Sequence, residues 1–371
     1  MKKISIITST RAEYGLLKPL IQKINDDKEL TLHLIVTGTH LLEEFGLTYK
    51  EIEQDFKIDE KIYMDMSRDD SLSLSLSMAK LQSDISSVFD KERPDMVVIL
   101  GDRYEMLSVA TAALMLHIPI AHIHGGEVTL GAIDDAIRHA ITKMSYLHFA
   151  SCEVYKNRII SMGEDESRVF NVGSLGVENV KNLKLLSKDE FEKSIEFKLG
   201  AKNLLVTYHP QTICELSPKE QFAELLGALD EFRDVKVIFT KANADEGGRV
   251  INEMIDEYVE VNKDRCVAFA SLGVLRYFSA MRFVDAVVGN SSSGILEVPS
   301  FHMPTINIGD RQKGREMAES VFNVKILKDD IVKVINLVLE DNFKDRLKDI
   351  KSPYESDGTS QKILDSIKRF V

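Results

Sequence analysis

The chain has 371 residues, 44% of them hydrophobic and 29% charged, which at roughly 100–200 residues per domain suggests about two domains with cores that need no staples. A net charge of −12, from 47 basic and 59 acidic side chains, argues against a general nucleic-acid binder but leaves room for an anionic small substrate held by local arginines and helix ends. Three scattered cysteines (Cys152, Cys214, Cys266) argue against a disulfide framework and for a reducing, cytoplasmic compartment, and no run of about 18 apolar residues predicts a membrane span.

Residues 4–7 form an apolar run too short for a signal peptide, and they read as a buried first strand ending at Ser9-Thr10-Arg11. Leu16, Leu17, Leu20, Ile21 and Ile24 then recur with helical spacing. Residues 32–36 read as a strand stopped by Gly38. The stretch 71–77 alternates Ser and Leu like a strand, but its continuation through Leu81, Ile85, Val88 and Phe89 favours a helix. A strand at 96–100 ends in Gly101-Asp102, a helix covers 104–116, and a strand at 118–123 runs into His124-Gly125-Gly126-Glu127. Residues 177–202, rich in lysine and poor in apolar periodicity, read as a linker. The pattern then restarts, with strands at 204–207, 235–240, 284–288 and 305–308 and a terminal helix at 363–371. Short continuous apolar strands separated by helices predict an α/β fold with parallel sheets covered on both faces. The expected organisation is two Rossmann-like domains, 1–175 and 176–371, facing a central cleft, with the last helix able to pack back on the first domain.

The sharpest chemical signal is Gly289-Asn290-Ser291-Ser292-Ser293-Gly294, where a strand runs into a predicted helix. Serine hydroxyls and free N–H groups at a helix start suit a phosphate, and Glu297 lies one turn on, within reach of ribose hydroxyls. The ordinary alternative is a serine cap followed by a solvated glutamate. Arg11, after the first strand, and the basic turn Gly309-Asp310-Arg311-Gln312-Lys313-Gly314-Arg315 are candidate diphosphate ligands, or else surface residues. Asp102 and Glu127 follow neighbouring strands and Asp134-Asp135 open a helix, so the carboxylates can crowd for acid and base work, although each alone fits a turn or cap. His209, before Pro210, suits phosphate binding or proton movement. His122, His124, His139 and His148 raise a metal site, with His122 and His124 on one strand face, but their spacing is not that of a zinc protease and no metal is expected. A dinucleotide fingerprint, a phosphate-binding lysine loop and a Gly-x-Ser-x-Gly elbow are all absent from the sequence, so nicotinamide, ATP and serine-hydrolase chemistry have no support and no cofactor is expected.

Taken in order, Thr8-Ser9-Thr10-Arg11-Ala12-Glu13-Tyr14-Gly15, Gly101-Asp102-Arg103-Tyr104-Glu105, His122-Ile123-His124-Gly125-Gly126-Glu127, Ile133-Asp134-Asp135-Ala136-Ile137-Arg138-His139, His209-Pro210, the serine run and the Asp310-Arg311 turn resemble the hydrolysing UDP-N-acetylglucosamine 2-epimerases of sialic-acid synthesis. The resemblance implies a glycosyltransferase-B-like fold and conversion of UDP-N-acetylglucosamine and water to N-acetylmannosamine and UDP. It carries Arg11, Ser291, Ser292, Glu297 and Arg311 to nucleotide binding, with His209 near the diphosphate and a catalytic candidate there. It carries Asp102, Glu127 and Asp134 to acid/base work at the sugar. Arg103, Asp135, Asn243 and Ser293 go to substrate binding, and Asp135 can exchange roles with Asp134. Arg11-Ala12-Glu13 and Gly125-Gly126-Glu127 depart from the non-hydrolysing sister family and favour the hydrolysing branch. Relatives with these motifs also act on UDP- or GDP-2,4-diacetamido-2,4,6-trideoxyglucose for legionaminic acid, and the resemblance further implies a homo-oligomer, dimer or tetramer. A glycosyltransferase of the same fold and a non-catalytic nucleotide-sugar sensor are the competing readings.

Overall fold

The computed structural model describes residues 1–66, 70–129, 133–211, 214–242 and 247–371. The chain forms two compact units. The first comprises Met1–Val128, the chain from the helix Ile133–Met144 to Asn179, and Ser356–Val371; the second comprises Val180–Glu355.

The first unit holds β1 (Lys2–Thr8), β2 (Leu30–Val36), β3 (Glu60–Lys61), β4 (Met96–Leu100), β5 (Ile120–Ile123), β6 (Leu147–Ala150) and β7 (Val169–Asn171) in one parallel sheet of order β3-β2-β1-β4-β5-β6-β7. The second holds β8 (Asn203–Thr207), β9 (Lys236–Thr240), β10 (Cys266–Phe269), β11 (Ala286–Gly289), β12 (Thr305–Ile308) and β13 (Val321–Val324) in the parallel order β10-β9-β8-β11-β12-β13. Each order reverses once, between β1 and β4 and between β8 and β11. Both units are therefore doubly wound Rossmann-like sheets, and in such sheets ligands bind at the strand C-terminal ends beside the reversal.

The continuous apolar runs follow from burial on both faces. All five residues of β4 are buried, as are all five of β8. The helix Arg11–Asp26 starts in a capping box between Thr10 and Glu13, and it buries Leu17, Leu20, Ile21 and Ile24 completely. The Ser/Leu stretch is helical from Ser71 to Glu92: Asp70 accepts the Ser73 N–H at 3.0 Å, and Leu81, Ile85 and Phe89 face the core. The alternating leucines at its start do not, since Leu72 and Leu76 stay exposed.

Residues 177–202 do contain the crossing from the first unit to the second, after Asn179, but they are structured rather than an irregular linker. They contain the end of the helix Leu175–Asn182 and the helix Lys188–Ser194, which Ser187 and Glu190 cap reciprocally. The lysines of that helix face solvent while Val180, Phe191 and Ile195, with Leu183, Leu186 and Phe197 partly buried beside them, join the second unit's core at spacings that repeat no single helix or strand period. His122 and His124 do not share a strand face either, because β5 ends at Ile123 and His124 turns the chain in the left-handed region at φ +63°.

Candidate active site

In the first unit the reversal brings the ends of β1 and β4 side by side, with β5 and β6 next in line. Beyond β1, Arg11 lies on the first turn of its helix, exposed, and its Nε donates to Glu51 at 3.2 Å. Beyond β4, Asp102 pairs with the guanidinium of Arg138, which is only 4% exposed on the helix Ile133–Met144. The preceding Gly101 carbonyl accepts from Nε2 of the fully buried His122 at 2.7 Å, and that ring's Nδ1 lies 3.2 Å from the Thr142 hydroxyl. Burial pulls the His122 pKa down to about 3, so the ring stays neutral and acts as a post that fixes the Asp102 turn.

Beyond β5, Glu127 is 3% exposed; it accepts from the Ser151 hydroxyl at 2.7 Å, just past β6, and lies 3.7 Å from His124 Nδ1. Asp134 and Asp135 occupy the first turn of the helix that carries Arg138. Asp134 and Arg138 are four residues apart, on one helix face, and Arg138 holds Asp102. The Asp135 carboxylate lies 3.6 Å from His139 Nε2. Both Asp134 and Asp135 are within one turn of Arg138, which holds the Asp102 carboxylate. The histidines do not converge: His148 bonds Glu164 at 3.1 Å, His139 faces Asp135, and His122 serves the Gly101 turn. Among the described residues no three His, Cys, Asp or Glu side chains form a group that could hold a metal ion.

In the second unit the reversal is bridged by Asn290. Its Oδ1 accepts the His209 N–H at 2.7 Å and its Nδ2 donates to the His209 carbonyl at 2.8 Å, so His209 is buried and held by its backbone. The Asn290 carbonyl accepts from Gln312 Nε2 at 2.9 Å and Arg311 Nη1 at 3.4 Å. One asparagine thus ties together the loops after β8, β11 and β12, the three that carry His209, the serine run and Arg311. The crossing is tight. Gly289 has φ +135°, and a Cβ there would stand 1.9 Å from the Thr207 carbonyl oxygen.

The serine run opens a shorter helix than expected. Ser293–Leu296 is a single turn, followed by the 3-10 turn Val298–Phe301 with Pro299 inside it. A single turn sums few peptide dipoles, so this turn offers serine hydroxyls and N–H groups rather than a long helix dipole. Ser291 and Ser292 are half-buried, and Glu297 ends the turn at 9% exposure. Tyr277, on the helix Gly273–Ala280, is half-buried, with its hydroxyl buried beside Ser293 and Thr207, and that hydroxyl's pKa is pushed up to about 12, chiefly by burial. Asn243 lies outside the described residues.

Arg138, Asn290 and Tyr277 are not singled out by the sequence pattern. Arg138 carries a readable signal in its i,i+4 spacing from Asp134, whereas the Asn290 bridge and Tyr277 are products of tertiary structure alone.

Residues 22–368 match the family model described as UDP-N-acetylglucosamine 2-epimerase. The chain is 50% identical over 325 residues to a GDP/UDP-N,N'-diacetylbacillosamine 2-epimerase (hydrolyzing) of Campylobacter jejuni, covering 88% of this chain and 85% of the relative. It is 32% identical over 324 residues to a UDP-N-acetylglucosamine 2-epimerase of Neisseria meningitidis, covering 87% and 84%. The crystal structure of a UDP-GlcNAc 2-epimerase from Neisseria meningitidis bound to UDP-GlcNAc superposes with a TM-score of 0.82 over 100% of both chains, at 19% identity, a likeness of fold. The chain belongs to the UDP-N-acetylglucosamine 2-epimerase family.

Proposed function

We propose that this protein is a hydrolysing 2-epimerase whose preferred substrate is a UDP- or GDP-linked 2,4-diacetamido-2,4,6-trideoxyglucose, the sugar also called N,N'-diacetylbacillosamine. The observation that carries the substrate is the 50% identity, over most of both chains, to the Campylobacter jejuni enzyme of that specificity. UDP-N-acetylglucosamine is the second reading, favoured by the relative at 32% identity.

The reaction is nucleotide sugar plus water giving nucleoside diphosphate and the free sugar inverted at carbon 2. A carboxylate removes the carbon-2 proton as the diphosphate leaves carbon 1, forming a glycal. Water then adds at carbon 1, and a proton returns to carbon 2 from the opposite face. Inversion needs acid/base groups on both faces, which is the role of Asp102, Glu127 and Asp134. Arg138 supplies the counter-charge that orients Asp102. Arg11, Arg103, Arg311, Ser291, Ser292 and Ser293 stabilise the departing diphosphate as preorganised donors, with His209 beside it. Glu297 takes the ribose hydroxyls, and Asp135 and Asn243 complete the substrate contacts. The protein works as a homo-oligomer in the cytoplasm.

Incubating the purified protein with each nucleotide sugar in deuterated water tests this. The expected result is free sugar and nucleoside diphosphate in equal amounts, one deuterium at carbon 2, and kcat/KM at least about ten-fold higher for the diacetamido sugar, a gap of about 1.4 kcal/mol. Release without deuterium would point to a glycosyltransferase or simple hydrolase, and a reversed preference would establish the second reading.

A further inference from the structure

Arg103 follows Asp102 and is the cap residue of the helix Tyr104–Met115. Its guanidinium is held along one edge. Nη2 donates to Glu105 Oε1 at 2.7 Å, and Nε donates to both Glu105 oxygens at 3.1 and 3.3 Å. The Tyr104 ring lies against it, with the guanidinium carbon 5.2 Å from the ring centroid. The carboxylate doing the holding has no solvent exposure at all, while the arginine side chain is 33% exposed. Gly38 closes over the same carboxylate: a Cβ there would stand 3.2 Å from Glu105 Oε1 and 2.7 Å from the Ser9 carbonyl. Glu105 is thus sealed beneath the β1 and β4 turns, where the first unit's strand order reverses.

Burying a carboxylate to hold a partly exposed arginine is a poor device for stability, since well-packed apolar residues generally serve as well. It is an effective device for orientation. A guanidinium gripped along its Nε/Nη2 edge presents its Nη1 face in a fixed plane, and among the described residues Nη1 makes no hydrogen bond. The end of that plane offers one N–H from Nη1 and the second N–H of Nη2, parallel to each other, and the pair matches two oxygens of a phosphate.

We infer that Glu105 is a positioning residue, which locks Arg103 so that its open edge receives the anionic diphosphate of the nucleotide sugar. This rests on the reading above that the protein acts on such a sugar. Because the side chain is fixed before the ligand arrives, binding loses less rotamer entropy than a free surface arginine would.

A double-mutant cycle in UDP affinity, measured by calorimetry on the full chain, tests the inference. Glu105→Gln keeps the shape of the buried side chain but removes its charge, and it should weaken UDP binding at least about ten-fold, as should Arg103→Ala. The double variant should bind no worse than Arg103→Ala alone, because Glu105 acts only through Arg103. In turnover the loss from Glu105→Gln should appear mainly in KM. Arg103→Lys keeps a cation beside the buried carboxylate, so it guards against a variant that fails to fold; it too should lose about ten-fold, since an ammonium has no fork. The inference is overturned if Glu105→Gln or Arg103→Lys binds UDP within two-fold of wild type, or if the losses multiply in the double variant. Wild-type turnover reports on the proposed reaction independently, so an active enzyme with an additive cycle would sink the role of Glu105 alone.

Discussion

Glu13 is 6% exposed in the first turn of the helix Arg11–Asp26. Its Oε2 accepts the Ser9 N–H at 2.8 Å, the Ser9 hydroxyl at 2.7 Å and the Thr10 N–H at 3.1 Å. Burial above all, against the lowering effect of the Ser9 bonds and Arg103 and with a smaller upward push from the nearby Glu105 charge, nevertheless raises its pKa from 4.5 to about 7. Desolvation outweighs three donors because removing a full charge from water costs more than neutral hydrogen bonds return. An acid whose pKa is raised by folding holds its proton in the native state after the unfolded chain has lost it. Its stabilising contribution is therefore complete below about pH 4.5 and is lost as pH rises through about 7. At roughly 1.4 kcal/mol per pH unit of separation, the swing is on the order of 3 kcal/mol. Glu13→Gln cannot ionise. Its stability relative to wild type should accordingly improve by that amount between pH 5 and pH 8 in urea unfolding. Parallel stability profiles for the two proteins would contradict the assignment.

At the scale of elements, the crossing of β8 and β11 tolerates no side chain at Gly289. Its φ of +135° suits glycine alone, and the Thr207 carbonyl occupies the space a Cβ needs. The strand end cannot move away cheaply, because Asn290 donates its own N–H to the same carbonyl at 3.1 Å and clamps His209 through two side-chain bonds. Gly289→Ala combines overpacking with a strained backbone, so it should destabilise the second unit by about 3 kcal/mol or more and lower UDP affinity with it. A thermal midpoint within a few degrees of wild type would show the crossing to be softer than its geometry. The same element shows what a sequence displays and what it hides. The apolar runs at β4, β5, β8, β11 and β12 are legible because both faces are buried, and Asp102, Glu127 and the serines are legible because they follow β4, β5 and β11. β6 is masked by His148 inside a four-residue strand, β7 has three residues, and the half-buried β13 lacks a clean apolar run. The Asn290 bridge and the Asp102–Arg138 pair span 81 and 36 residues, so no local pattern announces either.

At the scale of the whole molecule, the chain leaves the first unit after Asn179 and re-enters it at Ser356, so that unit is completed only by the last residues. The return is anchored by hydrogen bonds: Glu178 accepts the Ser360 N–H at 2.7 Å and its hydroxyl at 2.9 Å, and the Thr359 hydroxyl donates to the Val172 carbonyl at 2.8 Å. The helix Thr359–Phe370 then buries Ile363, Leu364 and Ile367 in the core that also contains Ile4, Leu17 and Leu20. Lys368 reaches Asp27 at 2.8 Å and Glu29 at 2.6 Å, but exposed pairs of this kind add little. The apolar side chains carry the weight. Three of them at about 1.5–3 kcal/mol each amount to roughly 5–9 kcal/mol, comparable with the whole stability of a typical domain. Ending the chain at Glu355 should therefore unfold the first unit. The second should keep its own transition, since its core cluster around Leu204, Phe222 and Ile335 includes no residue of the terminal helix. Scanning calorimetry of the truncated chain should show one remaining cooperative transition, with UDP affinity falling through loss of Arg11 and Arg103. Ile363→Ala should give a graded version, about 2–5 kcal/mol confined to the first unit. A truncated chain that kept both transitions would mean that the first unit's sheet stands without the segment that closes it.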